Sequence, residues 1–375
     1  MTLKDDMDSQ DTPDKFIQDL TNQELHQRKR VPVGILGATG SVGQKLLMLI
    51  DKHRWFHVTA VCASEKSQGK SYREAAEWRM PVPMPEDIAR LQVTAPEPNL
   101  PCKIVFSCLD GAIAGEIEQR FAQNGYTVIS CARAHRMDPT VPLLIPEVNV
   151  QHLDLLKEQK FPNRGIIIAK PNCAVIGLML ALRPLQLEFG IDAIQVVTMQ
   201  SVSGAGFPGV PSMAIFDNII PYIANEEDRM YEEPQKIFGT INRGIIEPYP
   251  MKISATCTRV PVTEGHMEVV SVKLKEKATL EQVKRAFKEF SSPLQGLMLP
   301  SAPVKAVHYF EEDDLPQTRL QRDLEHGMAV SVGRLRPDPV LDYKFVCLSH
   351  NTVRGAAGGA ILIAELLVKN GHVFW

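Results

Sequence analysis

What the chain lacks narrows its function first. No apolar stretch approaches the ~18 residues that a membrane-crossing helix needs, so no segment is expected to span a bilayer. Neither sign of charge is in excess: 41 Lys and Arg against 44 Asp and Glu leave a formal charge of −3. Without a concentrated basic surface a nucleic-acid partner is not expected, and a small molecule is. None of the seven cysteines stands in a CxxC pair or in Cys/His zinc spacing, so no metal site is expected. Their odd number, together with a polar beginning that has no signal-peptide core, suits a reducing, cytoplasmic setting. Internal repeats and low-complexity tracts are also missing.

What is present is an alternating pattern. Residues 1–30 are expected to form a solvated, flexible arm. "VPVGILGATGSVGQKLLMLIDKH" then reads as a buried strand, a glycine-rich turn and a helix with apolar Val42, Leu46, Leu47, Leu49 and Ile50. "HVTAVCAS", "KIVFSCL" and "YTVISCA" follow as further strands, the last two separated by the helical "GAIAGEIEQRFAQNG". That alternation predicts an α/β fold with a parallel, doubly wound, Rossmann-like sheet over residues 31–172. The proline-rich "RMPVPMPEDIARLQVTAPEPNLP" reads as a surface connection. Beyond residue 173 the runs "DAIQVVTMQSVS", "KISATCTRVPV", "HMEVVSVKL" and "GMAVSVGRLR" alternate, which predicts a mostly antiparallel α+β domain over 173–351. A final helix in 352–375, closed by Gly371, is expected to return to the first domain.

"GATGSVG", Gly37 to Gly43, fits G-x-x-G-x-x-G between a strand and a helix. Glycines there let backbone N–H groups and the helix N-terminus approach a pyrophosphate without Cβ atoms in the way. Gly37, Thr39, Gly40, Ser41 and Val42 are therefore expected to hold a dinucleotide. At the end of the second strand "ASEKSQGK" offers Ser64, Lys66 and Ser67 for a 2′-phosphate, with Glu65 opposing them, and NADP is preferred to NAD.

Cys173, in "AKPNCAVIG", lies where a strand-like run gives way to a helix, so N-terminal N–H groups can favour its thiolate and hold an oxyanion. Cys62, Cys108, Cys131, Cys257 and Cys347 lie inside strand-like runs and are expected to be inert core residues. Among the histidines, His266 starts a strand after a glycine, with the cation Arg259 nearby in the sequence. It is the candidate base. His53, His57, His135, His152 and His372 fall in helix or loop contexts and are expected to face solvent.

The ordered phrases "LGATGSVGQ", "LLIPEVN", "KPNCAVIGLMLAL", "QSVSGAGFPG", "CTRVPVTEGH" and "SHNTVRGAAGGA" resemble the aspartate-semialdehyde dehydrogenase family, most closely its archaeal and fungal branch. The resemblance covers all but the first thirty residues. It implies a glyceraldehyde-3-phosphate-dehydrogenase-like fold whose second domain also forms a dimer or tetramer interface. It further implies NADP-dependent reduction of β-aspartyl phosphate through a cysteine thioester, a step of amino-acid biosynthesis. Carried onto this chain, Cys173 is the nucleophile, His266 the acid/base and Gln200 the residue that orients the acyl group. Arg259 holds the α-carboxylate, Glu226 the ammonium, and Arg136 and Arg229 the phosphate. Gly204 and Asn351 join the cofactor site, with Gly355, Gly358 and Gly359 permitting close approach.

Three positions depart from the family's pattern. Ala174 stands where serine or threonine is usual, Cys131 where "SNA" is frequent, and Arg229 where lysine is common. Such changes leave open a paralogue that reduces another acyl phosphate or an acyl-CoA, as malonyl-CoA reductase does, or a non-catalytic NADP-binding regulator. The amino-acid clamp of Glu226 and Arg259 favours the first reading. The cofactor expectation is checked by comparing kcat/KM for the two nucleotides: NADP should be clearly preferred, and equal efficiencies would remove the role given to Ser64, Lys66 and Ser67.

Overall fold

A computed structural model describes residues 30–373; the expected arm, but for Arg30, lies outside the described residues. Two six-stranded sheets carry the architecture. The first contains β1 (Val31–Leu36), β2 (Phe56–Cys62), β3 (Val93–Thr94), β4 (Ile104–Ser107), β5 (Thr127–Ser130) and β6 (Ile166–Ala169). Their order is β3-β2-β1-β4-β5-β6 and every pairing is parallel. β4, β5 and β6 are buried at every position, as strands covered on both faces must be. Helices α1 (Ser41–Asp51) and α2 (Gly111–Gln123) supply part of that cover. The strand order reverses at β1, with β2 on one side and β4 on the other, which makes the crevice where such sheets bind ligands, and the glycine-rich turn lies there.

α3 (Cys173–Glu188) leads to the second sheet, which contains β7 (Ile191–Gln200). α4 (Glu226–Ile237) and the small ribbon of β8 (Thr240–Asn242) and β9 (Ile245–Glu247) come next. β10 (Lys252–Arg259), β11 (His266–Leu274), α5 (Leu280–Glu289), β12 (Val307–Tyr309), β13 (Val330–Pro337) and β14 (Tyr343–Ser349) follow. The order is β10-β7-β11-β14-β13-β12, antiparallel across its centre and parallel at both edges. β14, "YKFVCLS", was not anticipated as a strand, yet it sits near the middle of the sheet. Its Phe345 and Cys347 point into the core with the usual period of two.

α3 is apolar around almost its whole circumference, and Ala174 to Leu182 are all buried. Such a helix must lie between layers. It does: Val105, Val128 and Ile167 of the first sheet and Val196, Val270 and Phe345 of the second belong with it to one core. Each fully buried leucine there contributes roughly 1.5–3 kcal/mol. After a helical turn at Val353–Ala357 the chain enters α6 (Gly358–Lys369), which packs with Leu46, Leu47, Ile50 and Phe106 of the first domain. Gly371 ends it at a φ of 70°.

Some expectations fail for local reasons. The proline-rich stretch is more than a connection, since Val93 and Thr94 add β3 to the sheet edge and Ile88 and Ala89 are buried. His53 and His152 are buried rather than solvent-facing because each ring satisfies backbone groups. His53 Nδ1 accepts from the Trp55 and Phe56 N–H groups and Nε2 meets Glu365 at 2.8 Å. His152 bonds Asn149 and the Gly239 carbonyl. His57 lies in β2, half-buried. Cys62, Cys257 and Cys347 are core residues as expected, but Cys108 and Cys131 are only half-buried, each being the residue just past the end of its strand.

The returning segment is locked by charge. Arg354 and Glu147, both fully buried, form a two-bonded pair at 2.6 and 2.6 Å. Removing one partner strands the other in the interior, so Arg354→Met should lower unfolding free energy by ~3–5 kcal/mol. The double change with Glu147→Leu should recover much of that loss; denaturant unfolding of the two variants and the wild type measures it, and additive losses would mean the pair is not coupled.

Candidate active site

Cys173 is the first residue of α3, and the residue before it organises the surroundings. Asn172 caps the helix: its Oδ1 accepts from the Ala174 N–H at 2.8 Å and the Val175 N–H at 3.3 Å. Those two amides are thereby taken and are not open to an oxyanion, contrary to the expectation for this helix end. The Asn172 amide donates to Glu226 at 2.9 Å, and its backbone N–H donates to Glu233 at 2.7 Å. Both glutamates come from α4.

Three strand ends meet the cysteine. Gln200 ends β7 and Arg259 ends β10, paired side by side, while His266 begins the antiparallel β11 next to them. His266 Nε2 lies 3.3 Å from the Cys173 sulfur. The Ser201 N–H donates to Nδ1 at 3.1 Å, which places the proton of the neutral ring on Nε2, facing the sulfur. The Ser201 hydroxyl, 3.2 Å from Nδ1, is the acceptor available when that nitrogen carries a proton. Arg259 Nη1 donates to the Ser201 carbonyl at 2.8 Å, and Gln200 donates to Glu226 at 3.1 Å. Gly204 closes the group: a Cβ there would stand 2.7 Å from Arg259 Nη1 and 3.0 Å from the His266 ring. Only glycine fits.

Burial governs the electrostatics of the pair. It pushes the Cys173 thiol up to about 11, with Glu226 adding to the effect and Lys170, Arg136 and Arg259 opposing it. Burial, then the Arg259 charge, lowers His266 to about 3. The resting pair is therefore a neutral thiol and a neutral imidazole.

A cavity of about 470 Å³ is lined by Arg133, Arg136, Arg229, Glu232 and Glu233, among others, and Glu233 ties it to Asn172, the residue before the cysteine. Arg136 bonds Glu233 at 2.8 Å and the Cys131 carbonyl at 3.1 Å, and Arg229 bonds Glu226 at 2.6 Å. Both arginines keep a buried Nε with no partner. Lys236, on α4, donates to the carbonyls of Arg136, Asp138 and Val141 at 2.7, 2.7 and 2.9 Å, fixing the loop that carries Arg136. Burial lowers that lysine to about 8. Ser201, Asn172, Arg133, Glu233 and Lys236 were not singled out from the sequence. All but Arg133 act by holding another group, and such roles leave no spacing signature.

At the nucleotide crevice Gly37, at a φ of 79°, rests on the next strand, where a Cβ would come 2.5 Å from the Cys108 carbonyl. Gly43 is equally confined, 2.4 Å from the Gly37 carbonyl, whereas at Gly40 a Cβ would make only an ordinary 3.5 Å contact with that carbonyl. Gly40 caps α1 without a side-chain bond, so the helix end carrying Ser41 and Val42 remains open beside Thr39. Ser64 and Lys66 are exposed and Ser67 half-buried in the turn after β2, the position a ribose phosphate requires. These features fit a dinucleotide. Asn351 is differently engaged: it donates to Ser203 at 2.9 Å and accepts from the Gly265 N–H at 2.8 Å. The close approaches that Gly355, Gly358 and Gly359 permit are to Cys173, to Met328 and Val353, and to the Arg354 carbonyl. Among the described residues, no group of three or more His, Cys, Asp or Glu is placed to hold a metal, and no helix is long and apolar enough to cross a membrane.

Residues 32–156 match the family model "Semialdehyde dehydrogenase, NAD binding domain" and residues 182–354 match "Semialdehyde dehydrogenase, dimerisation domain". An aspartate-semialdehyde dehydrogenase of Archaeoglobus fulgidus is 46% identical over 91% of this chain and 98% of its own length. One from Aspergillus fumigatus is 44% identical over 91% and 98%. The chain belongs to the aspartate-semialdehyde dehydrogenase family. The Candida albicans family member solved with NADP superposes with a TM-score of 0.85 at 40% identity, covering 92% of this chain and all (100%) of that one. A Vibrio cholerae member complexed with ASA gives 0.72 at 28%, covering 92% and 99%. Of this chain's three departures from the family's pattern, Arg229 lines the arginine cavity, Cys131 bonds Arg136 that lines it, and Ala174 is fully buried behind the cysteine.

Because the Glu226 charge adds to burial in keeping the thiol protonated, Glu226→Gln should shift Cys173 alkylation to lower pH and raise its rate at pH 8 by ~3–10-fold. Mass measurement of the iodoacetamide-treated Cys173 peptide follows this. A wild-type profile that levels off below pH 7 would show an ion pair at rest instead.

Proposed function

We propose that the chain is an NADP-dependent aspartate-semialdehyde dehydrogenase. It converts β-aspartyl phosphate to aspartate β-semialdehyde and phosphate, and runs in reverse under assay. The observation that carries the reading is the conjunction, around one thiol, of a neutral histidine, an amino-acid clamp and an arginine-lined cavity.

Arg259 presents a guanidinium fork to the α-carboxylate, and Glu226 accepts from the ammonium. Neutralisation of Glu226 by that ammonium removes one of the causes holding Cys173 protonated. Transfer uses the other neutral tautomer of His266: its one ring proton moves from Nε2 to Nδ1, where the Ser201 hydroxyl accepts it, and the freed Nε2 lone pair then takes the thiol proton as the thiolate attacks the acyl carbon. Phosphate leaves into the cavity lined by Arg133, Arg136 and Arg229, whose positive charges suit its oxygens. Gln200 orients the resulting Cys173 thioester. NADPH, when bound along Gly37–Val42 with its 2′-phosphate on Ser64, Lys66 and Ser67, supplies the hydride. Asn351 steadies Ser203 and Gly265 around it, and Gly204 leaves the room. His266 returns its proton as the thioester collapses to the aldehyde.

The family's dimerisation region includes the most exposed apolar segment among the described residues: Phe207, Met213, Phe216, Ile219 and Tyr222, with Met213 at 90% exposure. A second copy of the chain covers this segment. A cytoplasmic location is proposed because seven free cysteines suit a reducing compartment.

Phosphate-dependent reduction of NADP by aspartate semialdehyde is the decisive assay, run beside malonyl-CoA and other acyl donors. Cys173→Ala should abolish turnover, by ~10³-fold or more, and Arg259→Lys should cost ~10²-fold in kcat/KM while leaving malonyl-CoA unaffected. Preference for an acyl-CoA would transfer the assignment to that class. NADP binding with no covalent intermediate in the intact mass would mark a regulator. Met213→Asp should shift the sedimentation coefficient to that of a monomer.

A further inference from the structure

We propose that Cys108 and Cys131 form a peroxide-sensitive dithiol, a modification site separate from the catalytic thiol, which closes to a disulfide at the floor of the nucleotide crevice when no cofactor covers it. The geometry comes from the sheet. β4 and β5 pair in parallel register up to Ser107 opposite Ser130, and the two cysteines are the next residue on each strand. The Cys131 N–H still donates to the Ser107 carbonyl at 2.9 Å, so the strands have not yet diverged there. Neighbouring strands lie ~4.7–4.9 Å apart, inside the ~4.4–6.8 Å Cα range that disulfides span. The two thiols face one another closely enough that each is the leading influence on the other's titration. Both are only partly buried, whereas Cys62, Cys102, Cys257 and Cys347 are buried.

The pair is chemically polarised. Cys108 lowers the Cys131 thiol against the effect of burial, with the positive charges of Lys170 and Arg136 assisting and Glu118 opposing. Cys108 is raised by Cys131 and by burial. Cys131 is thus the attacking thiolate and Cys108 the resolving thiol. The Cys131 sulfur attacks hydrogen peroxide, breaking the O–O bond to give a sulfenic acid and water. The Cys108 sulfur then displaces the sulfenic oxygen as a second water. Two thiols lose two electrons, one peroxide gains them, and the balance is closed.

The position supplies the consequence. The Cys108 carbonyl lies under Gly37, and the Cys131 carbonyl anchors Arg136. Drawing the two strand ends together moves the support of the glycine turn and of an arginine in the anion cavity. This second part rests on the nucleotide reading of Gly37–Val42; the disulfide does not.

The test uses the full chain carrying Cys173→Ser, which removes the competing thiol. Peroxide treatment followed by non-reducing peptide mass mapping should yield a Cys108–Cys131 cross-link lighter by two hydrogens and reversed by dithiothreitol. Saturating NADP should slow it about tenfold, and oxidation should weaken NADP binding about tenfold. Cys108→Ser should instead accumulate a dimedone-trapped sulfenic acid at Cys131, and Cys131→Ser should trap none at Cys108. Absence of the cross-link while Cys131 is oxidised further, or a cross-link to another cysteine, would overturn the proposal. Cross-linking at one rate with and without NADP would overturn its regulatory part. Failure of the reduced protein to bind NADP would count against the nucleotide reading, with the cross-link still upholding the dithiol.

Discussion

Asn172 is the contact on which the rest of the site depends. One side chain closes the N-terminus of the central helix and, with its backbone, engages two glutamates of α4. Those glutamates hold Gln200, Arg229 and Arg136 in turn. The cysteine, the clamp and the anion cavity are therefore parts of one hydrogen-bonded unit rather than separate pockets. The polar atoms of that unit are nearly all buried, where an unmade bond costs about 1–3 kcal/mol, so the unit has little tolerance for partial assembly.

The same burial explains why the resting enzyme is quiet. A thiol pushed up to about 11 and an imidazole lowered to about 3 do not exchange a proton unaided. Charges brought by a substrate are what change the local balance, because the groups facing the sulfur include both an acid and several cations. Under the proposed reaction, recognition and activation are the same event. This also accounts for the use of a serine, rather than a carboxylate, behind the histidine: a fixed negative charge there would hold the ring protonated before substrate arrived.

The sequence made the fold and the reacting groups legible because both have a periodic or positional signature. Strand and helix runs identified the parallel sheet, the glycine turn placed itself at the switch point, and Cys173 and His266 announced themselves at element boundaries. Three kinds of feature escaped. β14 was overlooked because Lys344 and Val346 carry its outward face and blur the alternation. Asn172, Glu233, Lys236 and Ser201 act through other residues, and their partners are distant in the chain. His53 and His152 resemble surface residues until the carbonyls, amides and carboxylate that satisfy them are in place. The glycines of the returning segment were assigned to a ligand, whereas their near neighbours are protein atoms.

One of those glycines has a consequence for the order in which the protein becomes competent. Gly355 abuts Cys173 so closely that a Cβ would lie 2.8 Å from the cysteine's own. Synthesis begins at the other end, so the cysteine, the histidine and the arginines are all translated before the segment that confines the thiol. A nascent chain carries every reacting group yet lacks the backbone that packs against the cysteine's Cβ. Orientation is the last property to be acquired, and a protein truncated shortly before its final helix would be chemically complete and sterically unfinished.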